Sequence, residues 1–144
     1  MAGLALQTAL DRQAQVGRCL AALVRLGEME QRIANPYTWE AVLACKDREI
    51  AALAALDFPA LQQECRELAA SPEPQAARLA ELMTANAELL GQVCALEQAA
   101  LERAAAARDR CRQELASLQA GTRLQGAYRR RSGLPPARFL SELG

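Results

Sequence analysis

Residues 82–100 read LMTANAELLGQVCALEQAA, and within them Leu82, Asn86, Leu89, Val93, Leu96 and Ala100 recur in alternating steps of four and three. That repeat places all six on one stripe of a helix, the heptad seam that a neighbouring helix covers. Asn86 is the only polar member of these six. A lone amide on a seam sets register or sits as a satisfied core group, and Asn86 is read in that way rather than as a catalytic residue. The seam continues through Ala104, Ala107, Cys111, Leu115 and Leu118, with many alanines that let helices approach closely. Working back from it, Ser71-Pro72-Glu73-Pro74 offers Ser71 as N-cap, Pro72 at the first helical position and an acid where the helix dipole is positive. The helix is therefore expected from Pro72 to Ala120, with Gly121 just past its end. At 1.5 Å per residue it spans about 70 Å, too long for a compact globule to enclose.

Toward the amino terminus, Val16, Leu20, Leu23, Leu26, Met29 and Ile33 mark one face of a first helix from Leu4 to about Ala34. Asn35-Pro36 ends it, because the residue before proline is pushed out of the helical region. Thr38 is expected to cap a second helix through Trp39, Val42, Leu43, Ile50, Leu53 and Leu56. Asp57-Phe58-Pro59 interrupts or restarts it, and Leu61, Cys65 and Leu68 continue a helical face. Beyond Gly121, a sparse apolar series of Leu124, Tyr128, Leu134, Phe139, Leu140 and Leu143 is broken by Gly126, Gly133, Pro135 and Pro136. The expected fold is all-α: an elongated antiparallel helical hairpin or bundle with one long helix in its C-terminal half and a short flexible or amphipathic tail. The division is a helical bundle domain over 1–120 and a basic tail over 121–144.

Composition agrees with helices. Half of the 144 residues are hydrophobic, yet only Tyr37, Trp39, Phe58, Tyr128 and Phe139 are aromatic, so the core must be built from Leu and Ala. Residues 1–120 carry 12 basic and 16 acidic side chains, whereas 121–144 carry five arginines and one glutamate. A basic tail on an acidic body suits folding back or an acidic partner, and five arginines without interleaved aromatics are too thin a footprint for nucleic acid. Cys19, Cys45, Cys65, Cys94 and Cys111 are widely spaced, with no C-x-x-C pair, and are read as reduced, small buried hydrophobes in a cytoplasmic protein. The amino terminus lacks the basic region of a secretory signal, and no run approaches about 18 uncharged apolar residues, so no membrane span is expected.

Catalysis is not expected. The chain has no histidine, the commonest acid–base group near neutral pH, and no Gly-rich phosphate loop. Glu28, Glu30, Glu64, Glu67, Glu97 and Glu102 sit among polar residues with no pairing favoured. Lys46 is the only lysine, and a Schiff-base role would need a desolvated pocket that the sequence does not indicate. No cofactor or metal is expected.

Three stretches carry a resemblance. Thr38 to Leu53 has a lysine, Lys46, followed by Ile50 and Leu53; Thr84-Ala85-Asn86-Ala87-Glu88-Leu89-Leu90 has an asparagine before a leucine pair; Gly126-Ala127-Tyr128 and Arg138-Phe139-Leu140 close the chain. In this order they resemble the FlgN-type flagellar export chaperones, and the helical grammar is similar to that of FliT-type chaperones. The resemblance implies a monomer or weak homodimer that binds hook–filament junction or flagellin-like subunits, with the export apparatus as a further partner. It implies an apolar helical surface that holds an amphipathic client helix and prevents premature assembly. The residues expected to bind the client are Leu115, Leu118, Leu124, Tyr128, Phe139 and Leu140. The competing expectation is a homodimeric coiled-coil scaffold or adaptor that uses the Leu82–Ala100 seam as its interface.

Overall fold

The computed structural model describes residues 2–131, and Phe139 and Leu140 lie outside them. The chain is all-α, with α1 at Ala2–Arg32, α2 at Pro36–Ala54, α3 at Phe58–Ala69 and α4 at Pro74–Arg131, and no strand among the described residues. No helix among them is long and apolar enough to cross a membrane. The chain divides into two compact units, Met1–Ala100 and a second that begins at Leu101.

Each break is made by the residues expected to make it, but the caps shift. Asn35, not Thr38, caps α2: its side chain accepts from the Tyr37 backbone N–H at 2.9 Å, and Pro36 occupies the first turn. The same Asn-Pro pair that stops α1 therefore starts α2, since an asparagine cap followed by proline at the first helical position satisfies both requirements. Asp57 separates α2 from α3 by adopting a left-handed conformation, φ 48°, without a side-chain capping bond. Its carbonyl instead accepts the Leu61 N–H at 3.0 Å and opens α3. The last long helix begins at Pro74, two residues later than Pro72, with the Glu73 N–H turned to the Ser71 hydroxyl.

The far end of α4 departs further from expectation. The helix does not stop at Ala120; it runs through Gly121 and Gly126 to Arg131. Glycine in a helix costs only about 1 kcal/mol against alanine, and Arg129, Arg130 and Arg131 lie in the last turn, where the dipole favours positive charge. Thr122 returns its hydroxyl to the Leu118 carbonyl at 2.9 Å and so stays within the helical pattern.

In the first unit α1 is the central strut. Leu6, Ala9, Leu10, Val16, Leu20 and Leu23 of α1 pack with Leu61 and Cys65 of α3 and with Ala76 and Leu79 of α4. Glu30 meets Trp39 and Lys46, while Gln13 meets Gln62 and Cys65, so α2 and α3 descend antiparallel to α1 as one broken arm. Asn86 meets Gln13, and Leu96 meets Gly27, so α4 ascends parallel to α1. The expected α1 stripe holds at Val16, Leu20 and Leu23, but Met29 is half exposed. The buried line follows Gln13 and the positions around Gly17 and Gly27 instead.

Those two glycines let α4 come close. A Cβ at Gly17 would lie 2.8 Å from Asn86 Oδ1, and one at Gly27 would lie 3.1 Å from a Leu96 methyl carbon. Asn86 is buried and donates from Nδ2 to the Gln13 carbonyl and to Gln13 Oε1, both at 2.9 Å. Gln13, fully buried, donates in turn to Gln62 Oε1 and Cys65 Sγ, both at 3.4 Å. Asn86 is thus a satisfied core amide, and no buried side-chain nitrogen or oxygen among the described residues lacks a partner.

Urea denaturation followed by circular dichroism tests this packing. Gly17→Ala should cost about 1 to 3 kcal/mol through overpacking against Asn86. Asn86→Leu should cost about 1 to 3 kcal/mol by leaving Gln13 Oε1 without its donor. At Gly91, where nothing lies within 4 Å of an added Cβ, alanine should be neutral or stabilise by up to about 1 kcal/mol.

Candidate functional site

Two features stand apart from the Leu/Ala core: a charge cluster buried in the first unit, and an exposed face on the second. The cluster is built around the single lysine. Val42 and Lys46, four residues apart on α2, both point inward, and only 5% of Lys46 is exposed. Its ammonium donates to Glu30 Oε2 of α1 at 2.8 Å and pairs with Glu97 of α4, joining three helices at one point. Trp39, the only tryptophan, adds a donation from Nε1 to Glu30 Oε1 at 3.2 Å.

Burial pushes the Lys46 pKa down, but hydrogen bonds and charge from Glu30 and Glu97 outweigh it, and the net shift is upward. The ammonium form is therefore favoured over the free amine that Schiff-base chemistry requires. The sequence reading left Glu30 and Glu97 unpaired, and the structure corrects this. Their partner lies 16 residues from one and 51 from the other, so no local spacing could join them.

The cysteines divide by surroundings. Cys19 and Cys65 are buried as expected, Cys45 is half-buried, and Cys94 and Cys111 are exposed, contrary to their reading as small core residues. Cys94 falls on the outward side of α4, and Cys111 lies where the helix has no buried side chain at all. Burial, then the hydrogen bond and charge of Glu49, raises the Cys19 pKa; burial raises that of Cys65 against the opposing hydrogen bond from Gln13. No group of three or more acidic or cysteine side chains suited to a metal occurs among the described residues.

The second feature occupies residues 101–131. None of these side chains is buried. Leu115, Leu118, Leu124 and Tyr128 are 56%, 69%, 72% and 76% exposed, so the four described client-binding candidates all reach the surface. They form two groups rather than one. Leu115 and Leu118 lie one turn apart, and Leu118 shares a shallow notch with Arg110, Gln113, Glu114 and Ser117. Leu124 and Tyr128 flank a second notch with Gln125 and Arg129. At about 100° per residue, Leu124 is rotated about a third of a turn from Leu118, so the groups face different directions.

Sequence reasoning missed the seam's change of role. From Leu79 to Ala100 its members are buried or half-buried, whereas Ala104, Cys111, Leu115 and Leu118 continue the same spacing in the open. No family model, curated protein or solved structure matches the chain.

Removing the lysine tests the cluster. Lys46→Met takes the ammonium from Glu30, whose side chain is 9% exposed, and should cost about 3 to 5 kcal/mol in urea denaturation. Glu97→Gln removes a partner that is 46% exposed and should cost less than about 1 kcal/mol. Because the folded Lys46 pKa is raised, its contribution is fully present below the ordinary lysine value and is lost as pH rises through the folded one. Cys19 and Cys65 act in the same direction, since the unfolded thiols ionise first above their ordinary value. Denaturation measured across alkaline pH should show stability falling, with the lysine part of the fall absent from Lys46→Met.

Proposed function

We propose that this protein is a cytoplasmic export chaperone of the flagellar, type III kind, which holds a helical segment of an unassembled hook–filament junction subunit against the exposed face of α4. The observation that carries the reading is the run from Leu101 to Arg131, in which five large apolar side chains, Leu101, Leu115, Leu118, Leu124 and Tyr128, are exposed on a stretch of α4 without one buried residue. A helix in a protein gains most of its stability from packing of an apolar face, and no side chain of 101–131 is buried by such packing among the described residues. Each Leu-sized side chain covered by a client would contribute about 1.5 to 3 kcal/mol before ordering costs. Four such anchors supply a gross ~6 to 12 kcal/mol, of the order of the ~8 kcal/mol that micromolar binding represents, and those costs are subtracted from it.

The homodimeric scaffold is the competing reading, and one observation weighs against it. It needs the Leu82–Ala100 seam as its interface, but Asn86 and Leu96 on that seam are turned onto Gln13, Gly17 and Gly27 of α1. A partner chain would have to displace α1 to reach them.

Titration of purified hook–filament junction subunits into the full chain tests the proposal, with Leu115→Ser, Leu118→Ser and Tyr128→Ala combined as the variant. The variant should keep its far-ultraviolet helicity and lose at least about tenfold in affinity, equivalent to about 1.4 kcal/mol. Undiminished binding by the variant, or none by the parent chain, would overturn it.

A further inference from the structure

The charges of the chain are segregated between its two units. Residues 1–100 carry eight basic and 13 acidic side chains, a balance of −5. Residues 101–131 carry eight arginines against Glu102, Asp109 and Glu114, a balance of +5. The basic excess therefore falls on the stretch of α4 that has no buried side chain.

Its placement around that helix is not uniform. Ala104, Ala107, Cys111, Leu115 and Leu118 form one stripe, and at about 100° per residue Arg103, Arg108 and Arg110 fall within about 80° of Leu118, on both sides of it. Glu102 and Asp109 project about 160° or more from Leu118, on the opposite side of the helix. Glu114 is the exception: it lies beside the stripe, in the notch with Arg110 and Leu118. Arg108 also contacts Asp109 at 3.4 Å, an exposed pairing that an incoming carboxylate can replace.

From this arrangement we infer that the face between Arg103 and Leu118 takes an acidic amphipathic helix, whose apolar stripe lies on Ala104, Ala107, Cys111, Leu115 and Leu118 and whose carboxylates meet Arg103, Arg108 and Arg110. The inference rests on the reading of this face as a client-docking surface and adds the chemistry of the client. The stripe's small residues, Ala104, Ala107 and Cys111, admit the close backbone approach of a second helix, and the arginines beside it occupy the positions that select partners in helical pairs. A second copy of this chain fits poorly, because pairing the face with itself sets arginine against arginine. Nucleic acid would engage the charge but leave Leu115 and Leu118 uncovered, without aromatic side chains on which bases stack. A bilayer surface would gain little from a stripe made largely of alanine and cysteine.

Fluorescence anisotropy with the full chain and two synthetic helical peptides tests the inference. Both peptides carry the same Leu/Ala stripe, flanked by glutamates in one and glutamines in the other. The glutamate peptide should bind at least about tenfold more tightly, and the advantage should shrink as NaCl rises from about 0.05 to about 0.5 M. Arg103→Gln, Arg108→Gln and Arg110→Gln together should abolish the advantage, so that the two peptides bind the variant equally. Equal binding of the two peptides, or an advantage that survives in the arginine variant, overturns the inference and leaves the docking surface standing. Binding of neither peptide overturns both. Tighter binding of phosphatidylglycerol vesicles or single-stranded DNA than of the glutamate peptide assigns the arginines to another ligand and likewise overturns it.

Discussion

The contact between Asn86 and Gln13 sets the terms for the bundle around it. An apolar seam of alternating leucines and alanines can slide by a heptad at modest cost, whereas a buried amide must find its partners in one register or lose them. Here the register is held from both sides. Asn86 donates to two oxygens of Gln13, and the absent side chain of Gly17 makes room for its oxygen. Gln13 then reaches Gln62 and Cys65, so one polar chain locates α4 on α1 and α3 on α1.

The Lys46 cluster performs the same task toward the other end of α1. Gln13 and Glu30 are 17 positions apart, about 25 Å along the helix at 1.5 Å per residue. Between them Val16, Leu20 and Leu23 supply the apolar area, which stabilises the assembly without choosing an alignment. A buried ion pair gives little net stability against an apolar replacement, but an unpartnered charge in the same place is strongly unfavourable. Lys46, Glu30 and Glu97 therefore act by excluding arrangements that separate them, and α2 is held against both α1 and α4 by that requirement.

The second unit follows an opposite logic. Beyond Ala100 the seam keeps its spacing but loses its bulk and its cover, the acidic residues thin out, and the arginines accumulate. A helix of this kind has surface to give to a partner and charge with which to select it. That division of labour, a polar-registered bundle and an open basic helix, fits a protein that acts through association, and it makes the proposed client an amphipathic helix of acidic character.

Helices were legible in the residues themselves because their causes are local. The heptad spacing through Asn86, the Asn35-Pro36 and Asp57-Phe58-Pro59 breaks and the Pro72–Pro74 start each act within a few positions, and each marks an observed boundary to within a few residues. Leu115, Leu118, Leu124 and Tyr128 are exposed, and the two pairs face different ways. Gly121 misled because glycine only permits a helix to end, and Arg129–Arg131 favour its continuation at the dipole's negative end. Pairing was beyond a local reading. Nothing near Lys46 announces Glu30 or Glu97, and nothing near Asn86 announces Gln13 and Gly17, since partners 16 to 73 residues away meet only after the helices have packed. The sequence by itself determined where this chain would be helical, because propensity, capping and periodicity are short-range. Only the tertiary structure decided which part of one continuous seam is core and which is surface, because cover comes from other helices and is not a property of the stripe.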